Sequence, residues 1–417
     1  MSRPVFPRTR AYRTGLVLLT LVVAACSSSE PGAGSRAFAI NTFTASDQQR
    51  PVVASNGSGR SVIAWESFGQ DGNHLGIFAR RFVNGAPEGP EFQVNTYTAS
   101  RQSFPAAAMD AQGNFVIAWR SSLQGSPGGT IFAQRFSADG SRLGNEFRVG
   151  PDGSVRDSQS EPQMAMNASG QFAIAWSNRE VGALAEELGQ NQLEDRWIEL
   201  RTYNADGSPR IDATRSTTQA NDRFPRAPRV AMAENGNFVV VWATADGVTV
   251  IRAQHYDLDG AALSPAYDIA SASLEVDVDL ASVSMTPAGA FAVAWEGFTF
   301  GNEPLGISVR RYAGPQDPEG EARTVGSPSS GLIERNAIRL TASGDLLVAA
   351  HASDRVQVAV QRANGQVLGP YLVSHPDFAS LFPAITSSAD GTALVAWQSL
   401  GQDGDGRGIR ARELSWR

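Results

Sequence analysis

One segment recurs seven times along this chain, and that repeat restricts the fold more than any other feature of the sequence. A glycine is followed six residues later by the tryptophan that closes an apolar run: Gly59 to Trp65, Gly113 to Trp119, Gly170 to Trp176, Gly236 to Trp242, Gly289 to Trp295 and Gly391 to Trp397. A seventh copy runs from Gly344 to Ala350, where alanine holds the tryptophan position. Successive copies lie 47 to 66 residues apart and fill the chain of 417 residues.

Each unit reads as four short strands. The first opens on a proline in most copies (Pro51, Pro105, Pro162, Pro383), as suits a strand start or edge, because proline has no N–H for the ladder. The second is the tryptophan strand. Phe115, Ile117 and Trp119 face one way and Val116 and Ala118 the other, so both faces are apolar and the sheet must be covered on both sides. The third resembles Ile131–Phe136 and the fourth Glu91–Val94. Asn84-Gly85, Asp139-Gly140, Asp206-Gly207, Asp259-Gly260 and Asn364-Gly365 fall between the third and fourth strands, where such pairs predict type I′ hairpin turns.

Seven four-stranded units resemble the blades of an all-β, seven-bladed β-propeller of antiparallel blades. The last unit ends at Arg417 after its third strand. The missing fourth strand is found at the front, where residues 37–42 (AFAINT) match 91–96 (EFQVNT). The N-terminal strand is therefore expected to complete the last blade and close the ring. The expected domain is 37–417, with units at 43–94, 95–150, 151–217, 218–270, 271–326, 327–373, and 374–417 together with 37–42. WD40 and kelch signatures are absent, and the repeats resemble those of uncharacterised secreted bacterial propeller-repeat proteins. Ser388–Gly391 resembles a sialidase Asp-box, but its spacing and its place between first and second strands depart from that motif, so no sialidase chemistry is carried over. The repeated tryptophans read as packing between blades. At Ala350 the blade is expected either to pack more loosely or to borrow a side chain from a neighbour.

The first 25 residues read as a targeting segment. Arg3, Arg8, Arg10 and Arg13 precede an apolar run from Gly15 to Ala25, too short for a membrane-spanning helix. The run ends Leu21-Val22-Val23-Ala24-Ala25-Cys26, which resembles the lipobox of bacterial lipoproteins. That resemblance implies cleavage before Cys26, a diacylglyceryl group on its thiol, and anchoring to the cell envelope. Ser27 after the cysteine implies the outer membrane. Residues 26–36 read as a flexible tether. Cys26 is the sole cysteine, so no intramolecular disulfide is available.

All 35 basic residues are arginine, which excludes lysine Schiff bases and the lysine of a phosphate-binding P-loop. The net charge is −7, and loss of the four signal arginines takes it to −11. Such a chain does not fit nucleic acid, whose binders present a basic face. No Gly-x-Ser-x-Gly elbow appears, and the four histidines, His74, His255, His351 and His375, lack metal spacing.

Polar, variable material gathers on the rim that carries the second-to-third and inter-blade loops. Gln70 and Asp71 lie in one such loop, and Gln402, Asp403 and Asp405 in its counterpart in the neighbouring last unit. The longest insertion on this rim, Asn178 to Asp195, contributes Glu186, Glu187, Glu194 and Asp195. Asp71, Asp403 and Asp405 are candidate Ca²⁺ ligands, a hard cation taking several oxygens, against the plainer reading that Asp and Gly make turns. The resulting expectation is a non-catalytic, envelope-anchored scaffold presenting this rim to a protein partner, with no catalytic residues. The alternative is an enzyme or a small-molecule or Ca²⁺-binding protein using the central channel, where Arg229 and Arg339 are the main charges of the first strands.

Overall fold

The computed structural model describes residues 36–416, save 126–127, 152–156, 182–193, 217–223, 247, 274–275, 300–303 and 326–335. Seven antiparallel sheets follow one another along the chain. Their innermost strands are Gln48–Ser55, Gln102–Met109, Asp157–Met166, Arg226–Met232, Val276–Met285, Asn336–Leu340 and Ser380–Ser387. Each packs against the innermost strands of both neighbours, and the last of them packs against the first, so the sheets form a closed ring. The molecule is an all-β, seven-bladed propeller.

Closure follows the route read from the sequence. Phe38–Ala39 pairs with Arg407–Ser415 and becomes the fourth strand of blade 7. The match between 37–42 and 91–96 extends to atoms. Asn41 Oδ1 accepts the Ile409 amide at 2.7 Å, as Asn95 Oδ1 accepts the Ile77 amide at 2.8 Å in blade 1.

The tryptophans fill the seams. Trp65, Trp119, Trp176, Trp242 and Trp397 have no exposed surface, and Trp295 is buried too. Trp119 packs on Ala64 and Ala79 of the preceding blade, and Trp176 on Ala118 and Ala133. A large ring on one sheet is matched by small residues on the facing one, and this keeps radial sheets close enough to interlock. At the seam between blades 5 and 6, Ala350 takes the tryptophan position and lies directly opposite Asn336. Asn336 accepts a hydrogen bond from Ser282 and donates one to the fully buried Glu296 across the seam. A polar group therefore stands beside the missing indole.

Two details differ from the sequence reading. The prolines do not open the inner strands. They sit inside them at a register shift found in blades 1 to 5 and 7, where two residues bulge out of the ladder. A bulge needs no N–H at that position, so proline is tolerated within the strand. Of the five expected type I′ turns, only Asn84-Gly85 has both residues at positive φ (48° and 73°). In the other four only the glycine is left-handed, as at Gly140, where Ser137 and Ser141 are joined across three residues. One extra residue there turns a two-residue hairpin into a type I turn closed by a glycine bulge.

Candidate functional site

The seven inner strands surround a central channel, a cavity of about 320 Å³. This is at the lower end of small-ligand sites, which run from roughly 300 to 1,000 Å³. Most of its lining residues are apolar in type, with polar backbone and side-chain atoms between them. Met109, Met164, Met166, Met232 and Met285 all line it, five of the six methionines in the chain. Two arginines, Arg229 and Arg339, line it as well, and no Asp or Glu stands among the described lining residues. Arg229 donates to the carbonyl of Pro228 at 2.9 Å. Arg339 lies near the opposite end, with Nε 3.3 Å from Ser387 Oγ. Burial pushes its guanidinium below the usual arginine range. Among the described residues that line the axis, the charged side chains are thus both arginines, in a chain of net negative charge.

The mouth on the loop-rich rim is built by the bulges. Arg50, Phe104, Glu161, Ala227 and Phe382 each stand immediately before a proline, with φ between 51° and 56°. Left-handed backbone costs a non-glycine residue on the order of 1–2 kcal/mol, so each needs outside support. The residue after the tryptophan in the preceding blade supplies it in two seams. Gln398 Oε1 accepts the Arg50 amide at 3.1 Å, and Glu66 Oε1 accepts the Phe104 amide at 2.7 Å. Glu66 is fully buried, accepts from Gln49 Nε2 at 2.9 Å, and lies 3.7 Å from the Arg50 guanidinium. These mouth residues were not singled out from sequence. The signal was present in two columns of the repeat: the residue before each strand proline, and the residue after each repeat tryptophan, polar in every case but Ala243.

The rim residues expected to bind serve their own blades. Gln70 donates to Glu91, whose carboxylate accepts the amides of Thr42 and Phe43. Asp71 accepts the Asn73 amide and lies over Gly76, where a Cβ would come within 2.7 Å of it. Asp403 lies in the same way over Gly408 and accepts from Asn41. Asp405 accepts the Ser46 amide, and the Gln402 carbonyl accepts from Arg410. Asp71, Asp403 and Asp405 are not gathered as a cation site: among the described residues no group of three His, Cys, Asp or Glu side chains is placed to hold a metal. Glu194 and Asp195 begin the third strand of blade 3, paired with Val181 and Glu180. Glu186, Glu187 and Cys26 lie outside the described residues. His255 is buried against Phe291 and Tyr267, and His74 stacks edge-on with Phe68.

No family model and no curated protein matches the chain. Solved structures do. An ulvan lyase of polysaccharide lyase family PL25, bound to -[GlcA(1-4)Rha3S]-, is similar over 91% of this chain and 96% of its own, at 9% identity and a TM-score of 0.57. A protein of unknown function from Dyadobacter fermentans is similar over 76% of this chain and 95% of its own, at 14% identity and a TM-score of 0.51. The β-propeller domain of the Trilobed protease from Pyrococcus furiosus is similar over 90% and 97%, at 4% identity and a TM-score of 0.50. At such identities the likeness is one of fold. The expectation of a non-catalytic scaffold with a protein partner on its rim is corrected by this result. A propeller of this fold is found in a polysaccharide lyase, so the architecture does not by itself make the protein a non-catalytic scaffold.

Proposed function

We propose that the protein acts on an acidic saccharide held in its central channel. The observation that carries this reading is the pair Arg229 and Arg339 on a channel wall with no acidic side chain among its described residues. A guanidinium in a partly desolvated site favours an anion with two oxygens that can accept paired N–H bonds, such as a carboxylate or a sulfate. The methionine collar offers soft apolar contact to the rest of a ring. The ulvan lyase that shares the architecture is bound to a saccharide of glucuronic acid and sulfated rhamnose, which supports the same ligand class. Lipid anchoring through Cys26 at the outer membrane belongs to this proposal, and would place the ring among envelope or environmental polysaccharides.

The test is calorimetry with acidic and neutral oligosaccharides, run beside an assay for unsaturated or reducing-end products. Acidic chains are expected to bind, more weakly as salt rises, and Arg229→Met and Arg339→Met are each expected to lower affinity about tenfold or more. Equal binding of neutral chains, or affinities unchanged in both variants, would refute the reading. For the anchor, detergent phase partitioning should lose the protein when Cys26 becomes alanine.

A further inference from the structure

Three side chains at the channel mouth form a layered stack across three blades. Phe382 of blade 7, Arg50 of blade 1 and Phe104 of blade 2 occupy the same bulge position in consecutive inner strands. The guanidinium carbon of Arg50 lies 4.5 Å from the centre of the Phe104 ring and 5.7 Å from that of Phe382. None of the three is fully buried. Phe382 also lines the channel, so the stack and the cavity are continuous. The stack is held from behind: Gln398 grips the Arg50 amide, and the buried Glu66 grips that of Phe104.

The bulge explains the backbone but not the residue types. Ala227 fills the same position in blade 4 with the same φ, so neither size nor charge is needed to form it. Two half-exposed aromatic rings with a cation between them are a poor choice for a surface that only has to fold. They do suit a sugar. The faces of an aromatic ring carry negative charge density and attract the slightly positive C–H bonds on the apolar side of a pyranose. The guanidinium donates to the hydroxyl or carboxylate groups around its edge.

We infer that Phe382, Arg50 and Phe104 form a second saccharide subsite, which stacks one ring of a chain at the mouth while the acid group of its neighbour reaches the channel arginines. This inference rests on the channel reading and extends it from an acidic sugar to a chain of them.

Saturation-transfer NMR and calorimetry with galacturonate, tetragalacturonate and the neutral xylotetraose separate the two readings. Tetragalacturonate should bind about tenfold more tightly than the monomer, the scale of one good aromatic contact. That advantage should fall in Phe104→Leu, at a residue outside the channel lining, with monomer affinity unchanged. Phe104→Trp, which keeps a ring, should retain it and guard against a folding artefact. If the monomer fails to bind while both tetrasaccharides bind and are lost in the leucine variant, the subsite stands and the channel reading falls. If neither tetrasaccharide binds, or the leucine variant binds them as well as the wild type, the subsite is overturned whatever the monomer does.

Discussion

Asn41→Ala should unfasten the ring, whereas Asn95→Ala should only loosen a blade. Both side chains accept a buried strand amide, that of Ile409 or Ile77. An alanine leaves that donor unsatisfied, at about 1–3 kcal/mol. Asn41 Nδ2 also donates to the Phe43 carbonyl at 2.9 Å, Gln48 at 3.1 Å and Asp403 at 3.1 Å, and losing these adds about 1 kcal/mol. A total of about 2–4 kcal/mol, spread over the melting entropy of roughly 380 residues, lowers Tm by about 3–5 °C. The difference between the two positions is topological. The bond from Ile409 to Asn41 joins residues 368 apart and ties the N-terminal strand to blade 7, whereas that from Ile77 to Asn95 joins residues 18 apart within one blade. Hydrogen exchange read by mass spectrometry should therefore show Asn41→Ala losing protection along 407–414 and 38–40, with a faster unfolding rate. Asn95→Ala should lose protection only around Ile77 and Phe92. The reasoning is refuted if Ile409 stays protected in Asn41→Ala, or if Asn95→Ala exposes 407–414 equally.

Trp119→Ala should cost about 3–5 kcal/mol in denaturant unfolding, because a fully buried ring leaves a cavity against Ala64 and Ala79; a loss under about 1 kcal/mol would mean the seam collapses freely. Burial pushes the His255 imidazole down to about 4. The unfolded chain then takes up a proton near pH 6.5 that the folded one refuses, so stability is present at neutral pH and is lost as pH falls from about 6.5 towards 4. The loss amounts to at most about 3 kcal/mol. Unfolding curves at pH 7 and 4.5 should show a smaller drop for His255→Gln than for the wild type, and equal drops would reject the assignment. Millimolar Ca²⁺ should leave Tm unchanged, since Asp71, Asp403 and Asp405 each hold their own loops through one oxygen and no group of three ligating side chains gathers among the described residues; a rise that Asp403→Ala removes would overturn that placement.

The architecture was legible because every blade solves the same packing problem with the same residues. Glycine turns the first hairpin, tryptophan fills the seam, and alanine makes room for it. Even the closing strand could be found, because Asn41 repeats the task of Asn95. The site was much less legible. Arg50, Phe104 and Phe382 are about 54 or more residues apart and meet only because the ring brings the same position of three blades to one mouth. The left-handed bulge that aims them left just a proline in the sequence, which reads equally well as a strand start. The Asp-Gly loops carry a local packing need as well. Asp71 and Asp403 fold over Gly76 and Gly408 of the strands that follow, where a Cβ would meet the carboxylate, so the composition of a cation site is also that of a packed loop.

A perfectly repeated ring would present seven equivalent orientations to anything entering its axis. A polymer lying across its mouth would then dock equally well in any of seven directions. This ring is marked on one side. Among the described residues that line the axis, arginine stands in blades 4 and 6, and between them the seam at Ala350 trades an indole for Ser282, Asn336 and Glu296. The blade that departs furthest from its siblings thus acts as a compass point, and polarity in a bound chain would be read from the repeat's one irregular copy.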